Sequence, residues 1–210
     1  MANILGVEIE RLAHAAFRIQ GNGKIIYMDP FQLKQSYNDA DIIFISHEHF
    51  DHCSIEDLRK VIKDSTLIVC PPDCQSKLSG MKFKDTKLAI PGTKGTVEGI
   101  AFYCIPAYNT NKKFHPRAND WIGYIITVNG KNIYHCGDTD VTSEMKALKN
   151  IDIALMAVSG TYVMTAPEAA QAVNSFHPKV AIPMHYGEIV GTIADAEKFK
   201  ELAKCEVEIL

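Results

Sequence analysis

Residues 41–54 read DIIFISHEHFDHCS. The apolar run ending at Ile45 leads straight into three histidines and an aspartate within six positions, in a chain with only eight histidines. A short run rich in isoleucine and phenylalanine reads as a buried strand. His47 and His49 are two positions apart, so in extended chain their side chains point to one side. Asp51 and His52 follow at once and need a turn, which aims them at a second point. Imidazole and carboxylate donors together suit zinc, manganese or iron. Six residues do not easily wrap one tetrahedral ion. Two metals sharing the motif, each completed from elsewhere, is the better geometry, and an ordinary polar surface loop is the alternative.

Two metals constrain the fold, because further ligands must arrive at the ends of other strands. HCGDTD, residues 135–140, places Asp138 just beyond the strand NIYHCG, and PMHYG, residues 183–187, places His185 just beyond VAIPM. Both repeat the first arrangement, an apolar strand with a donor at its end, which is where open sheets commonly build sites. Taken alone, a Gly-Asp-Thr aspartate reads as a turn former and a histidine beside Tyr-Gly as a packing residue. The cluster at 47–52 shifts both towards ligands.

The remaining pattern supplies the strands. VEIERL, AAFRIQ and KIIYMD alternate like an antiparallel meander with a turn at Gly21-Asn22-Gly23, and Asp29-Pro30 ends the third. Ser54 caps a predicted helix with acids in its first turn. TLIVC follows as a short strand, then a Pro/Asp/Ser-rich connection, and TKLAIP and TVEGIAFYCIPA as further strands. Residues 108–120, YNTNKKFHPRAND, have no apolar period and read as a long loop, a form often tied to function. WIGYIITVNGKNIYHCG is a hairpin on Asn129-Gly130. IDIALMAV and KVAIPM read as buried strands, APEAAQAVNSF and ADAEKFKELA as helices, and CEVEIL as an edge strand. Each half runs from β-rich units to strand–helix alternation without a linker. The expectation is one domain over 1–210, with two sheets and helices outside them.

A net charge of -3 gives no general attraction to phosphate backbones, so a nucleic-acid partner is not expected. No apolar run approaches the ~18 residues that span a bilayer. The opening MANILGVEIERL has no basic start followed by a long apolar stretch, so a cytoplasmic location is expected. The six cysteines are read as reduced thiols, and Cys70 and Cys74 do not have the spacing of a zinc or redox pair.

HEHFDH, GDTD and MHYG, in this order and each after an apolar strand, resemble the metallo-β-lactamase superfamily. The likeness is closer to its metal-dependent hydrolases, the group that includes ascorbate-6-phosphate lactonase-like proteins. LAHAAFRI, IIYMDPF and GTYVMTAPEAA extend it over nearly the whole chain. The resemblance implies an α/β architecture, an αβ/βα sandwich of two mixed sheets with a two-metal cleft at one edge. It assigns His47 and His49 to a first metal, Asp51, His52 and His185 to a second, and Asp138 to a bridge. It also places His14 near the cleft, supporting the ligands from behind. One position departs from the pattern: the third histidine of the first metal, expected near CIPAYN, is replaced by Tyr108 and Asn109. His115 is the nearest substitute. His135 and His177 are read as structural.

Two divalent ions, zinc foremost with manganese or iron also accommodated, would make hydroxide available at neutral pH. The expected activity is hydrolysis of an ester, lactone or phosphodiester in a small anionic molecule, with Asp51 or Asp138 accepting the proton. Lys112, Lys113 and Arg117 are the expected anion contacts, and Tyr162 and Tyr186 the expected donors to a developing oxyanion. Three other readings stay open: a nuclease or phosphodiesterase on the same core, an iron redox enzyme, and a non-catalytic protein with a decayed first site. A homo-oligomer is also compatible with exposed edge strands.

Overall fold

A computed structural model describes all 210 residues as two seven-stranded sheets, each built from one half of the chain. The first sheet runs in sequence order through β1 (Ala2–Ile4), β2 (Val7–Ala13), β3 (Ala16–Gly21), β4 (Lys24–Met28), β5 (Ile42–Phe44), β6 (Leu67–Cys70) and β7 (Asp85–Leu88). The second runs through β8 (Lys94–Val97), β9 (Ile100–Pro106), β10 (Ile122–Val128), β11 (Lys131–His135), β12 (Ile153–Ala157), β13 (Val180–Met184) and β14 (Glu206–Val207). In both sheets the first three pairings are antiparallel and the last three parallel. The same mixed topology therefore appears twice.

The burial pattern explains the division. β9 alternates buried and exposed positions over its first four residues, as a strand solvated on one face must, whereas β5, β12 and β13 are buried throughout. Those buried strands need cover on both faces. One face meets the other sheet, since Phe17 and Phe44 of the first share a core with Tyr124 and Ile126 of the second. The other face meets helices: α1 (Ile55–Val61) over the first sheet, and α2 (Ser143–Lys146), α3 (Ala166–Phe176) and α4 (Ile193–Leu202) over the second.

Local signals set the helix ends. Ser54 Oγ accepts from Asp57 N at the start of α1. Thr165 and Glu168 form a capping box at the start of α3, and exposed His177 closes that helix in the left-handed region, the structural part expected of it. Asn129 and Gly130 both take positive φ, as a type I′ hairpin requires.

Three features differ from the sequence expectation. TVEGIAFYCIPA is two strands, β8 and β9, turning at Glu98-Gly99, where both residues have positive φ. The Pro/Asp/Ser-rich connection carries a 3₁₀ helix, Pro72–Leu78, and strand β1 and helix α2 were not anticipated. All six cysteines are free. No helix is long and apolar enough to cross a membrane.

Candidate metal centre

The C-terminal ends of β5, β9, β11, β12 and β13 meet at one edge of the sandwich, and the β2–β3 turn closes over them. His185 N donates to His14 O across that junction at 2.9 Å. Three overlapping donor groups result, each with ligand atoms within 4.8 Å of one another: His47, His49 and His115; His47, His52 and Asp138; and His14, Asp51, His52 and His185. Asp138 lies at the middle. Its Oδ2 is 3.2 Å from His115 Nε2, 3.1 Å from His185 Nε2 and 3.9 Å from His47 Nε2, while Oδ1 is 3.2 Å from His52 Nε2.

Outer partners hold the rings with Nε2 inward. Asp29 Oδ2 accepts from His52 Nδ1 at 2.7 Å and from Ser46 Oγ at 2.6 Å. With its proton given to Asp29, Ser46 Oγ accepts from His47 Nδ1 at 2.9 Å. Asn109 Oδ1 accepts from both the backbone N–H and Nδ1 of His115, at 3.0 and 3.2 Å, and its own amide donates to Tyr162 O. Ser159 Oγ lies 2.9 Å from His185 Nδ1. Protons fixed on Nδ1 of His47 and His115 leave Nε2 of each with a free lone pair, the form a metal ligand needs, and Asp29 fixes the Nδ1 proton of His52 in the same way.

Six buried polar atoms here lack a hydrogen-bond partner: both nitrogens of His14, Nε2 of His47, His52 and His115, and Oδ1 of Asp138. Several lie near a carboxylate, as His14 Nε2 does at 3.2 Å from Asp51 Oδ2, but are not aligned to hydrogen-bond with it. Each such atom costs about 1–3 kcal/mol when left unsatisfied. So dense a set of unpaired donors and lone pairs fits divalent cations.

The charges agree. Burial opposes ionisation of Asp138, but His185, His52 and His115 outweigh it and hold the carboxyl well below its usual range. Burial likewise opposes ionisation of Asp51, and His52 and His14 lower it to about 2. Burial keeps His47 neutral. His52 is different: burial disfavours its charge, yet Asp138, Asp29 and Asp51 raise its pKa well above the ordinary value. These carboxylates favour the charged form of His52 in the metal-free protein, and a cation held at its Nε2 would displace that proton. Loading at pH 7 is expected to release about one proton from this residue. Calorimetry in buffers of differing ionisation enthalpy would measure it, and loading without proton release would refute it.

The site includes strained backbone. His14, Asp29 and His185 all have positive φ, uncommon outside glycine. Gly137 (φ 62) precedes Asp138, and a Cβ there would sit 2.9 Å from Ile122 O. Gly137→Ala is expected to destabilise the fold by about 2–3 kcal/mol, read as a lower urea midpoint at unchanged slope.

His115, on the 108–120 loop, reaches back to the site, where its imidazole and those of His47 and His49 surround Trp121. Asp140 ties the loop down, accepting from Thr110 N, Asn111 N and Lys112 Nζ. His14, expected behind the ligands, stands within a donor group itself. His135 packs as expected, bonding Ala15 O and Gly137 N. The anion contacts are placed otherwise. Lys112 is spent on Asp140 and Arg117 on Glu144, Lys113 is exposed, and none of the three walls the cavity over the donors. Tyr162 lines that cavity, whereas Tyr186 is buried beneath the Arg11 guanidinium. Asp29, Ser46, Asn109 and Ser159 are the contributors that sequence reasoning missed.

The cavity measures about 320 Å³ and has His49, Asp51, His115 and Asp138 in its wall. A larger one of about 600 Å³ lies beyond Phe50 against α1, but its Asp57 already accepts from Gln32 N, Leu33 N and Lys60 Nζ. The smaller cavity holds the convergent donors.

Comparison with known proteins agrees with this geometry. The profile of the Beta-lactamase superfamily domain matches residues 8–185. A metal-dependent hydrolase of Pyrococcus abyssi is 33% identical, covering 97% of this chain and 96% of its own. The chain is a metal-dependent hydrolase of the metallo-β-lactamase superfamily. A crystal structure of a candidate metal-dependent hydrolase from Parabacteroides distasonis superposes on this hydrolase with a TM-score of 0.85 at 33% identity, covering 97% and 92% of the two chains. The metallo hydrolase Igni18 of Ignicoccus hospitalis superposes at 0.78 and 24% identity, over 97% and 94%, and supports the fold.

Proposed function

We propose that the chain folds as one domain and hydrolyses an ester, lactone or phosphodiester at a two-metal centre. In this reading His47, His49 and His115 hold one ion, Asp51, His52 and His185 the other, and Asp138 stands between them. The observation that carries it is the convergence of unpartnered Nε2 and carboxylate atoms around Asp138. Divalent cations bound there acidify water and polarise the acceptor oxygen of the substrate. Zinc is the first candidate, and the donor set also suits manganese or iron.

The protein's own groups supply positioning and proton transfer. Asp51 lies in the cavity wall, ionised at neutral pH, and is placed to accept a proton from the attacking water. Asp138, more deeply buried and ringed by imidazoles, holds the geometry. In ester or lactone cleavage the water oxygen bonds to the acyl carbon as the carbon–alkoxy oxygen bond breaks. One water proton passes through Asp51 to the leaving alkoxide, and the acid product releases the other. Tyr162 is the candidate donor to the developing oxyanion, since Tyr186 lies outside the cavity wall.

Metal-replete protein assayed on ester, lactone and phosphodiester panels, with metal counted by mass spectrometry, tests the proposal. About two ions per chain and turnover on one panel are expected. Failure on every panel, with His49→Ala leaving metal content unchanged, would refute it.

A further inference from the structure

Ten large hydrophobic side chains are exposed on the whole chain, and three of them converge on the one cavity that holds the donors. Phe50 (67% exposed) comes from the histidine motif, Phe114 (49%) from the 108–120 loop and Ile189 (37%) from the segment after β13. These segments are far apart in sequence, so the clustering is tertiary. Tyr162 completes the wall, meeting Phe114 edge to face at 4.7 Å and 86°. Exposed aromatic and branched residues gathered over a reactive centre are what an apolar ligand requires.

Charge points the same way. Beyond the donors themselves the wall holds no cation. Four nearby cations are already engaged, Lys112 with Asp140, Arg117 with Glu144, Lys77 with Glu48 and Arg11 with Glu188, and exposed Lys113 is not part of the wall. A phosphate or carboxylate placed away from the scissile bond would lose water here and gain no counter-charge from the wall.

We propose that this cavity selects substrates whose group beside the scissile bond is uncharged and apolar, an aromatic ring or a branched or linear alkyl chain. At roughly 30 Å³ per water-sized group, its volume admits on the order of ten heavy atoms. The proposal rests on the hydrolytic reading above and narrows it, replacing the small anionic substrate expected from the loop's lysines.

The test has a kinetic and a binding arm. Metal-loaded protein is given matched esters and γ-lactones whose side group is phenyl, pentyl, hydroxymethyl, carboxymethyl or phosphooxymethyl. The phenyl and pentyl compounds are expected to show at least about tenfold higher kcat/KM than the other three. Phe114→Ala should shrink that preference by about tenfold at unchanged metal content, and Ile189→Ala replaces it if Phe114→Ala loses metal. In the binding arm, ligand-detected NMR compares 3-phenylpropionamide, which is not an ester, with its carboxylate analogue. Contacts from the phenyl ring to Phe114 and Tyr162 for the amide alone support the inference even if no ester is cleaved, in which case only the hydrolytic reading falls. Turnover that favours the carboxylate or phosphate compounds, or equal preference in wild type and both variants, overturns the inference and leaves the hydrolytic reading standing. Absence of both turnover and amide binding overturns both.

Discussion

Asp138→Asn is expected to lower turnover by on the order of a thousandfold, the scale of losing one preorganised charge at a reacting centre. The carboxylate is buried, with four imidazole nitrogens within 3.9 Å of it. An amide keeps the shape but removes the negative charge and leaves a single acceptor oxygen, so a cation placed among these imidazoles would lose its counter-charge. Metal content should fall in the same samples. Near-wild-type turnover with full metal would mean that Asp138 only fills space. The fold should survive, since the substitution adds no heavy atom, and an unchanged far-ultraviolet circular dichroism spectrum would exclude global unfolding as the cause.

Asp29→Asn is the second large effect. Asp29 touches none of the proposed reacting atoms, yet it accepts from His52 Nδ1, Ser46 Oγ and Ser46 N. Its amide counterpart would turn N–H groups towards donors. His52 would then favour a proton on Nε2, the nitrogen that must stay free. Metal affinity is expected to drop by about 10–100-fold, the usual cost of losing a partner behind a ligand. Competition with a chromophoric chelator would measure it. The proton on His52 supplies a second readout. Asp29 helps raise that pKa, so the stability it confers on the metal-free protein is present below the ordinary imidazole pKa and lost as pH rises through the elevated one. Removing the charge should flatten that dependence. Unchanged affinity together with an unchanged stability profile would sink the assignment.

Much of the fold could be read from strand patterning. β5, β12 and β13 announce themselves as apolar runs, and Asn129-Gly130 identifies its hairpin. The β8–β9 turn could not be read in this way, because Glu98 is not a residue that favours positive φ and only the pairing of the strands forces it there. The cluster at 47–52 was legible because several donors share a few residues. Asp29 and Asn109 were not, since a lone polar residue after a strand looks the same whether it ends a ladder or orients a ligand. The pairing of the basic loop was hidden for a related reason. Lys112 and Arg117 are adjacent to His115 in sequence, but their carboxylate partners lie 28 and 27 positions downstream, and pairing over such distances leaves no local trace.

Each sheet comes from one half of the chain, and the donors are divided between the halves, with His14, His47, His49, Asp51 and His52 in the first and His115, Asp138 and His185 in the second. During synthesis the N-terminal half emerges first and can pair its strands. It then presents four histidines and an aspartate with no central carboxylate to organise them. Only when residue 185 has left the ribosome and β13 has joined its sheet can all the donors meet. The complete donor set thus exists only late in synthesis, and a chain stalled before β13 would lack His185 and the strand that seats it.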